Sequence, residues 1–218
     1  MEKFLKFDPA TVQDYRNLGK IDLQLLDFYD KNIGNFQRLY KVTNTSAGAP
    51  DPIFIAEYTA LSKNEGWDFL FVTVGTSREK MPYPANWPGE KVERRVELVI
   101  LARTDNRHIA LALGGLAESF FRQKTFVDVG HTVQFENNDS FIPGSPLTGV
   151  IFTYPYFTDK KIGIITLNSK THVHLLWCVP VYNSERLLFK QQGIRDFLVL
   201  ISEKGLDIAD FGRPSALP

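Results

Sequence analysis

The sequence contains a single cysteine, Cys178, so no disulfide can form within the chain of 218 residues. A lone cysteine is typical of a reducing compartment. No hydrophobic run is long enough to cross a membrane, and the first residues lack the apolar stretch of a signal peptide. These absences predict a cytoplasmic protein that makes no contact with a membrane.

The chain also has no excess of either charge, with 25 Lys and Arg residues against 25 Asp and Glu residues. Because binding to nucleic acid depends on many contacts between basic side chains and phosphate, this balance argues against a nucleic-acid partner. Disorder is excluded as well. The composition is 44% hydrophobic and 13% aromatic, which allows enough apolar burial to offset the entropy lost on folding.

Apolar residues recur at helical spacing in several parts of the chain. The predicted helices are Lys20–Asn32, Arg107–Lys124 after a cap at Asp105 or Asn106, and a stretch that begins with a cap at Ser184 and runs to Lys204, with an interruption at Gly193. A shorter helix is predicted between Asp8 and Gly19. The Gly114-Gly115 pair would weaken the second helix, which indicates that something packs closely against it.

β-Branched and aromatic residues cluster between these helices. The predicted strands are 36–43, 53–58, 67–74, 92–101, 125–135, 149–157, 161–167 and 173–181. A turn at Thr158–Lys160 predicts that 149–157 and 161–167 pair with each other. Without a repeat or a long linker, this order predicts one α+β domain over residues 1–218, with helices covering a mixed or mostly antiparallel sheet.

Motifs for catalysis are incomplete. No glycine-rich phosphate loop follows a strand. Ser77 comes directly after a predicted strand, but a nucleophile elbow also needs glycine at the position that Glu79 holds. A tight turn whose hydroxyls bond the backbone is the favoured interpretation of Ser77. Glu93 and Glu97 flank two arginines, and nothing in the sequence brings two acids into a catalytic pair.

Two histidines offer a possible metal site. His172 and His174 are two residues apart, so in a strand they project from one face. His131 or Asp128 would be a third ligand. The alternative is an ordinary surface strand, which we favour because the chain has no Cys pair and no helical His-Glu-x-x-His motif. We therefore predict no catalytic residue, no metal and no cofactor.

The segment Met81–Gly89 is a candidate binding loop. Its three prolines prevent regular structure and restrict the backbone. Met81, Tyr83 and Trp87 would be presented there with little loss of entropy, and such residues are enriched in binding hot spots. They are the predicted partner-binding residues. The alternative is that these side chains fold back as a lid on the core.

Short motifs are spread through most of the chain. They are Ile53–Tyr58, Trp67–Ser77 followed by Met81, Val96–Leu101, Leu175–Tyr182, Ser184–Arg186, Gly193 and Asp210–Ser215. Their order and spacing resemble the suppressor-of-fused domain from about Asp22 onward. The resemblance implies a single α/β sandwich of the kind that forms the amino-terminal lobe of the animal protein.

The resemblance also implies a function. The animal protein has a second lobe and binds zinc-finger transcription factors of Hedgehog signalling, and that partner is not expected for a one-lobed chain. The short form resembles bacterial members, which include immunity proteins that bind and neutralise a toxin. No catalytic residues are attached to the family. The implied function is a non-enzymatic protein-protein interaction module, with a cognate toxin as the expected partner.

Two other functions stay open at this point. One is a hydrolase or a metal-dependent enzyme that uses a cleft near His172, His174 and Ser77. The other is a self-associating scaffold or regulator. The sequence alone does not separate them from the binding module.

Overall fold

The β-rich segments of the chain form one mixed sheet. The computed structural model describes residues 6–8, 18–43, 49–60, 66–86, 93–156, 162–169 and 171–218, and these residues contain nine strands. The strands are β1 (Lys6–Asp8), β2 (Arg38–Thr43), β3 (Ile53–Thr59), β4 (Phe69–Val74), β5 (Arg95–Ala102), β6 (Thr132–Gln134), β7 (Gly149–Thr153), β8 (Ile164–Asn168) and β9 (Thr171–Val181). The helices are α1 (Lys20–Asn32), α2 (Arg107–Arg122) and α3 (Asn183–Glu203). The predicted fold class, α+β with a mostly antiparallel sheet covered by helices, is confirmed.

The sheet is antiparallel except at its centre. The strand order is β1-β2-β3-β4-β5-β9-β7-β6, with β8 also paired to β9. Among the described pairs, only β5 with β9 is parallel. A parallel pair needs a long crossover connection, and here α2 and the strands β6 to β8 lie between β5 and β9 in the sequence.

Strand β9 has 11 residues, so one of its edges can serve two shorter strands. Its residues 177–181 pair with β7, and its residues 171–174 pair with β8, while β5 occupies the opposite edge. The predicted pairing of 149–157 with 161–167 is therefore wrong. Each of these strands pairs with β9 instead, and they bond consecutive stretches of the same edge of β9.

Both faces of the central strands are buried, as a continuous apolar run predicts. In β5, Leu98 and Ile100 pack in the core that contains α2, whereas Val99 and Leu101 pack in the core that contains α1 and α3. Successive side chains point to opposite faces of a strand, so one strand supplies both cores. The sheet is thus a middle layer between α2 and the pair α1 and α3.

Helix α2 approaches the sheet closely at Gly114. A Cβ atom at this position would lie 2.9 Å from Cγ2 and 3.0 Å from Cγ1 of Val42 on β2. Carbon atoms in good contact are about 3.5–4.0 Å apart, so only glycine fits without a shift. The close packing predicted from the Gly114-Gly115 pair is confirmed at Gly114.

The helix ends confirm two predictions and contradict one. Asn106 caps α2, because its side chain accepts a hydrogen bond at 2.9 Å from a backbone N–H two residues on. Gly193 interrupts α3 with φ 86° and ψ −179°. Ser184 does not cap α3. The helix begins one residue earlier, and the Glu185 carboxylate accepts the N–H of Tyr182 at 3.1 Å.

The predicted strand over 125–135 is shorter than expected. Only Thr132–Gln134 is a strand, and Phe126 and Val127 are instead buried in the α2 core. Gly130 has φ +87°, a conformation that an extended strand does not contain. The chain therefore turns before β6 begins.

The amino-terminal region has one element that the sequence pattern does not predict. This is β1, which pairs with the second half of β2. The short helix predicted between Asp8 and Gly19 falls on residues 9–17, which lie outside the described residues. Among the helices that the structure describes, none is long and apolar enough to span a membrane.

We predict that Gly114→Ala lowers the free energy of unfolding by about 1–3 kcal/mol, because the added methyl must displace the stiff Val42 side chain. The better helix propensity of alanine, worth about 1 kcal/mol, offsets part of this loss. Urea unfolding of the purified protein measures the difference.

Val42→Ala provides the matched background, since it removes both Cγ atoms that a Cβ at Gly114 would meet and leaves the Cβ of residue 42, at 3.1 Å. In that background the loss caused by Gly114→Ala should be smaller. An equal loss in both backgrounds would show that contact with Val42 is not the cause.

Candidate functional site

The described part of the proline loop packs on the core. Met81 is only 3% exposed and lies in the α2 core, and its N–H donates to the carbonyl of Arg94 at 2.8 Å. Tyr83 stacks on Phe126, with ring centroids 4.5 Å apart and an angle of 15° between the ring planes. Trp87 lies outside the described residues. The Met81 side chain is therefore part of the interior, and partner binding by Tyr83 and Trp87 stays a prediction.

Ser77 is fully buried and donates its hydroxyl to the Glu97 carboxylate at 2.6 Å. The same carboxylate accepts the N–H groups of Gly75 and Ser77 at 3.0 and 2.9 Å, and the hydroxyl of Thr73 at 2.5 Å. The oxygen of Thr73 also accepts the N–H of Leu98 at 2.7 Å, which directs its own proton toward Glu97. Ser77 thus lies in a tight turn, as the favoured interpretation predicts, but its hydroxyl bonds a carboxylate and not the backbone.

Two opposing effects act on the pKa of the Glu97 carboxyl group. Complete burial disfavours the ionised form and raises the pKa of this carboxyl to about 7, although the hydrogen bonds from Ser77 and Thr73 lower it. Sequence reasoning missed this cluster. The available signal was a glutamate between Val96 and Leu98, within a strand whose apolar run predicts burial on both faces.

The turn held by Glu97 also positions helix α1. Arg78, at the end of this turn, places Nε 3.0 Å and Nη2 2.5 Å from Oδ2 of Asp22 in the first turn of α1. Its Nη1 donates to the carbonyl of Pro52 at 2.8 Å. Asp22 is buried and accepts the N–H of Gly19 at 2.6 Å. Hydrogen bonds therefore run from β5 through the turn to the start of α1, and they are buried at Glu97 and part-buried at Arg78.

The histidines are not arranged as metal ligands. His174 accepts a hydrogen bond from Nη1 of Arg94, and Nη2 of Arg94 lies 2.6 Å from the Asp128 carboxylate. The guanidinium thus stands between the histidine and the acid, where a metal would have to bind. Burial and then Arg94 lower the pKa of His174. His172 contacts the hydroxyl of Thr166 at 3.1 Å.

Within the part of the chain that the structure describes, no group of three or more His, Cys, Asp and Glu residues could hold a metal ion. His131 contacts the carbonyl of Phe126 at 3.3 Å. Cys178 is buried, and this burial raises the pKa of its thiol well above the ordinary range.

A buried ion pair attaches the carboxyl-terminal segment to α3. Arg213 donates from Nη1 and Nη2 to the two carboxylate oxygens of Glu185, each at 2.7 Å, and both side chains are at most 1% exposed. Glu185 also accepts the N–H of Ala216 at 2.8 Å. The Tyr182 hydroxyl donates to the carbonyl of Arg213 at 2.9 Å. One carboxylate therefore caps α3 and holds the chain that follows it.

A groove of about 480 Å³ lies between the second half of α2 and the segment from β6 to Phe141. Its larger apolar lining residues are Leu116, Phe120, Val133, Phe135 and Phe141. Its charged lining residues are Glu118, Arg122, Glu136 and Asp139. Glu118 forms an ion pair with Arg122, with Nη1 3.4 Å from Oε2. The exposed carboxylates of Glu136 and Asp139 therefore give the lining its net negative charge, above an apolar floor.

The groove lies at the end of the sheet, because β6 is the last strand in the described order. Val133 and Phe135 pack against the α2 core, whereas Thr132 and Gln134 contact Arg186 on the other face. Sequence reasoning missed this site. The groove is formed by α2 together with β6, and no local pattern in the sequence predicts that these two elements lie next to each other.

Comparison with known protein families gives a match, and its range includes the carboxylates of both buried polar clusters. A sequence model of the suppressor of fused protein family matches residues 50–214 of the 218. The chain belongs to the suppressor of fused family. The matched range includes Glu97, Glu185 and Arg213, while α1 precedes it. The resemblance given by the sequence motifs is confirmed.

Solved structures of suppressor of fused proteins share this fold at low sequence identity. A homologue from Neisseria gonorrhoeae is 17% identical with a TM-score of 0.64, over 91% of this chain and 97% of that chain. A chain of the Sufu-Fu complex is 15% identical with a TM-score of 0.61, over 96% of this chain and 93% of that one. Drosophila Suppressor of Fused is 14% identical with a TM-score of 0.63, over 99% of this chain and 53% of that protein. No curated protein sequence matches the chain.

We predict that Glu97→Gln lowers the free energy of unfolding by about 1–3 kcal/mol at neutral pH. An amide has one acceptor oxygen, so its NH2 group must face at least one of the donors that now bond the carboxylate. Urea unfolding of the variant and the wild type measures this loss.

The loss should depend on pH. The pKa of Glu97 is about 7 in the folded protein against an ordinary 4.5, so the folded state binds the extra proton between these values. This group therefore makes the wild type less stable as pH rises through that window. The variant lacks the contribution, so its deficit should be larger near about pH 5 than near about pH 8. A deficit that does not change with pH would contradict the raised pKa.

We also predict that Arg213→Met lowers the free energy of unfolding by about 3–5 kcal/mol, because it leaves Glu185 buried without its partner. The double variant Arg213→Met/Glu185→Gln should recover part of the loss, since no uncompensated charge remains. Urea unfolding compares the three proteins. A double variant as unstable as Arg213→Met would show that lost packing, and not the charge, is responsible.

Proposed function

We propose that this protein is a non-enzymatic binding module whose groove beside β6 takes an extended segment of another protein. The observation that carries the proposal is the groove itself, with an apolar floor and an acidic lining at the last strand of the described sheet. Extended peptides commonly bind beside the outer strand of a sheet, where pockets select alternate side chains. The Sufu-Fu complex supports protein binding as a role within the family.

The lining selects the chemistry of the partner segment. Leu116 and Phe120 on α2 and Val133 on β6 favour apolar side chains from the partner. The carboxylates of Glu136 and Asp139, both exposed, favour Lys or Arg next to those apolar side chains. A stable complex covers about 800 Å² on each partner, so the groove would be the centre of a larger contact.

We further propose that the partner is a toxin domain and that the protein acts as a cytoplasmic immunity protein. Such a role requires occlusion of the toxin and no reacting group in the inhibitor. The homologue from Neisseria gonorrhoeae supports this, because its chain is covered almost completely by this fold and it comes from a bacterium. Tyr83 and Trp87 are proposed as additional contacts at the edge of such an interface.

We predict that Ser119→Arg weakens partner binding by at least about tenfold, or about 1.4 kcal/mol, because it fills the groove and halves its net negative charge. Ser119 lines the groove and lies on α2, where arginine is a good helix former. The partner is identified by pull-down from the native cell, with attention to a toxin encoded beside the gene. Calorimetry with the purified partner then gives the dissociation constants of the wild type and of the Ser119→Arg variant.

Asp196→Lys is the matched control, because it introduces a cation at an exposed site of α3, on the other face of the sheet. This variant should bind the partner as tightly as the wild type does. Neutralisation of the toxin in trans should likewise be weakened by Ser119→Arg and left unchanged by Asp196→Lys. If Ser119→Arg binds as tightly as Asp196→Lys, the groove is not the binding site. Turnover of a small molecule by the pure protein would contradict the non-enzymatic proposal.

A further inference from the structure

The three carboxylates that line the groove differ in burial. Glu118 lies on α2, one turn before the end of the helix, and is only 4% exposed. Glu136 and Asp139 lie on the facing segment, and both are exposed. Among the described lining residues, Glu118 is therefore the acidic side chain that is held away from water.

Burial decides how strongly each carboxylate can select a partner. An ion pair between exposed side chains is screened by water and changes a binding constant by about fivefold or less. Away from water the same pair interacts through a lower effective dielectric constant and becomes stronger. A buried carboxylate also disfavours any ligand that covers it without bonding it. Selection of a basic side chain should therefore depend on Glu118 more than on Glu136 or Asp139.

Arg122, an ion-pair partner of Glu118, is held loosely. Its Nη1 lies 3.4 Å from Oε2 of Glu118, whereas a charge-assisted hydrogen bond is about 2.7–2.9 Å long. The Arg122 side chain is 46% exposed and belongs to the last turn of α2. It can turn into water there and still interact favourably with the carboxyl end of the helix dipole. Another cation can thus replace it at Glu118 at low cost.

We infer that Glu118 is the specificity-determining residue of the groove, and that it exchanges its ion pair with Arg122 for one with a basic side chain of the bound segment. The inference rests on the proposed function of the groove as a site for an extended peptide. Arginine fits best, because its planar guanidinium can bond both oxygens of a carboxylate. Its apolar stem can lie along the floor of the groove while the charged end reaches Glu118.

The pattern of the bound segment follows from the geometry of an extended chain. Residues i and i+2 of a strand point to the same face, so the side chains that enter the groove alternate with those that point out of it. Leu116 and Phe120 select apolar side chains, and Glu118 selects the arginine. The expected segment therefore has an apolar residue two positions from an arginine.

The probe is a phage library of random short peptides, selected on the pure full-length protein. The groove volume of about 480 Å³ lies in the range of small-ligand pockets, so a short peptide is large enough to fill it. Selected peptides that lose binding in Ser119→Arg are groove ligands, and most of them should carry the expected pattern. Selection on Glu118→Gln should lose the enrichment of arginine, whereas selection on Glu136→Gln, the matched control, should keep it.

A synthetic peptide from this selection then measures the exchange. Replacement of its arginine by glutamine should weaken binding to the wild type and to Glu136→Gln by at least about tenfold, and binding to Glu118→Gln much less. Arg122→Met keeps an apolar stem but removes the competing cation, so it should bind the arginine peptide more tightly, by roughly threefold. Thermal unfolding shows whether each variant keeps its fold, and the change in the peptide tests the charge with no change in the protein.

Three outcomes would overturn this inference and leave the groove as a binding site. Groove ligands could be selected without a basic residue, or Glu118→Gln could respond to the arginine of the peptide as strongly as Glu136→Gln does. Weaker binding of the arginine peptide to Arg122→Met would show that Arg122 contacts the peptide and is not exchanged. If no selected peptide loses binding in Ser119→Arg, the groove proposal and this inference both fail, so the two failures are distinguishable.

Discussion

The parallel pairing of β5 with β9 is the constraint on which the rest of the structure depends. It joins the antiparallel strands β1 to β4 on one side to β6, β7 and β8 on the other. Residues 96–102 of β5 and 175–181 of β9 are all buried, so the middle of the sheet offers no surface to a partner. Binding is therefore left to the margins, which are the strand edges, the loops and the outer faces of the helices. The groove beside β6 is a margin of this kind.

Two buried carboxylates fix what the apolar layers leave undetermined. Apolar contacts bring α1 onto the sheet, but they are not directional, and many positions of a helix on a flat face have similar energy. Glu97 orders the turn that carries Arg78, and Arg78 bonds Asp22, so the start of α1 has one position. Glu185 does the same for the carboxyl-terminal segment through Arg213. Burial of charge adds little stability by itself, and we infer that its effect here is to select one arrangement.

Local features of the fold were predictable, and contacts distant in sequence were not. The helix over Lys20–Asn32, the cap at Asn106 and the break at Gly193 follow from periodicity and from residue chemistry within a few positions. The pairing of β7 and β8 with β9 could not be predicted, because it depends on β9 being long enough to bond both strands along one edge. The same distinction between local and distant features applies to the candidate site. Residue type selected the proline loop, yet burial of Met81 depends on a core formed by distant segments, and the groove requires α2 and β6 together.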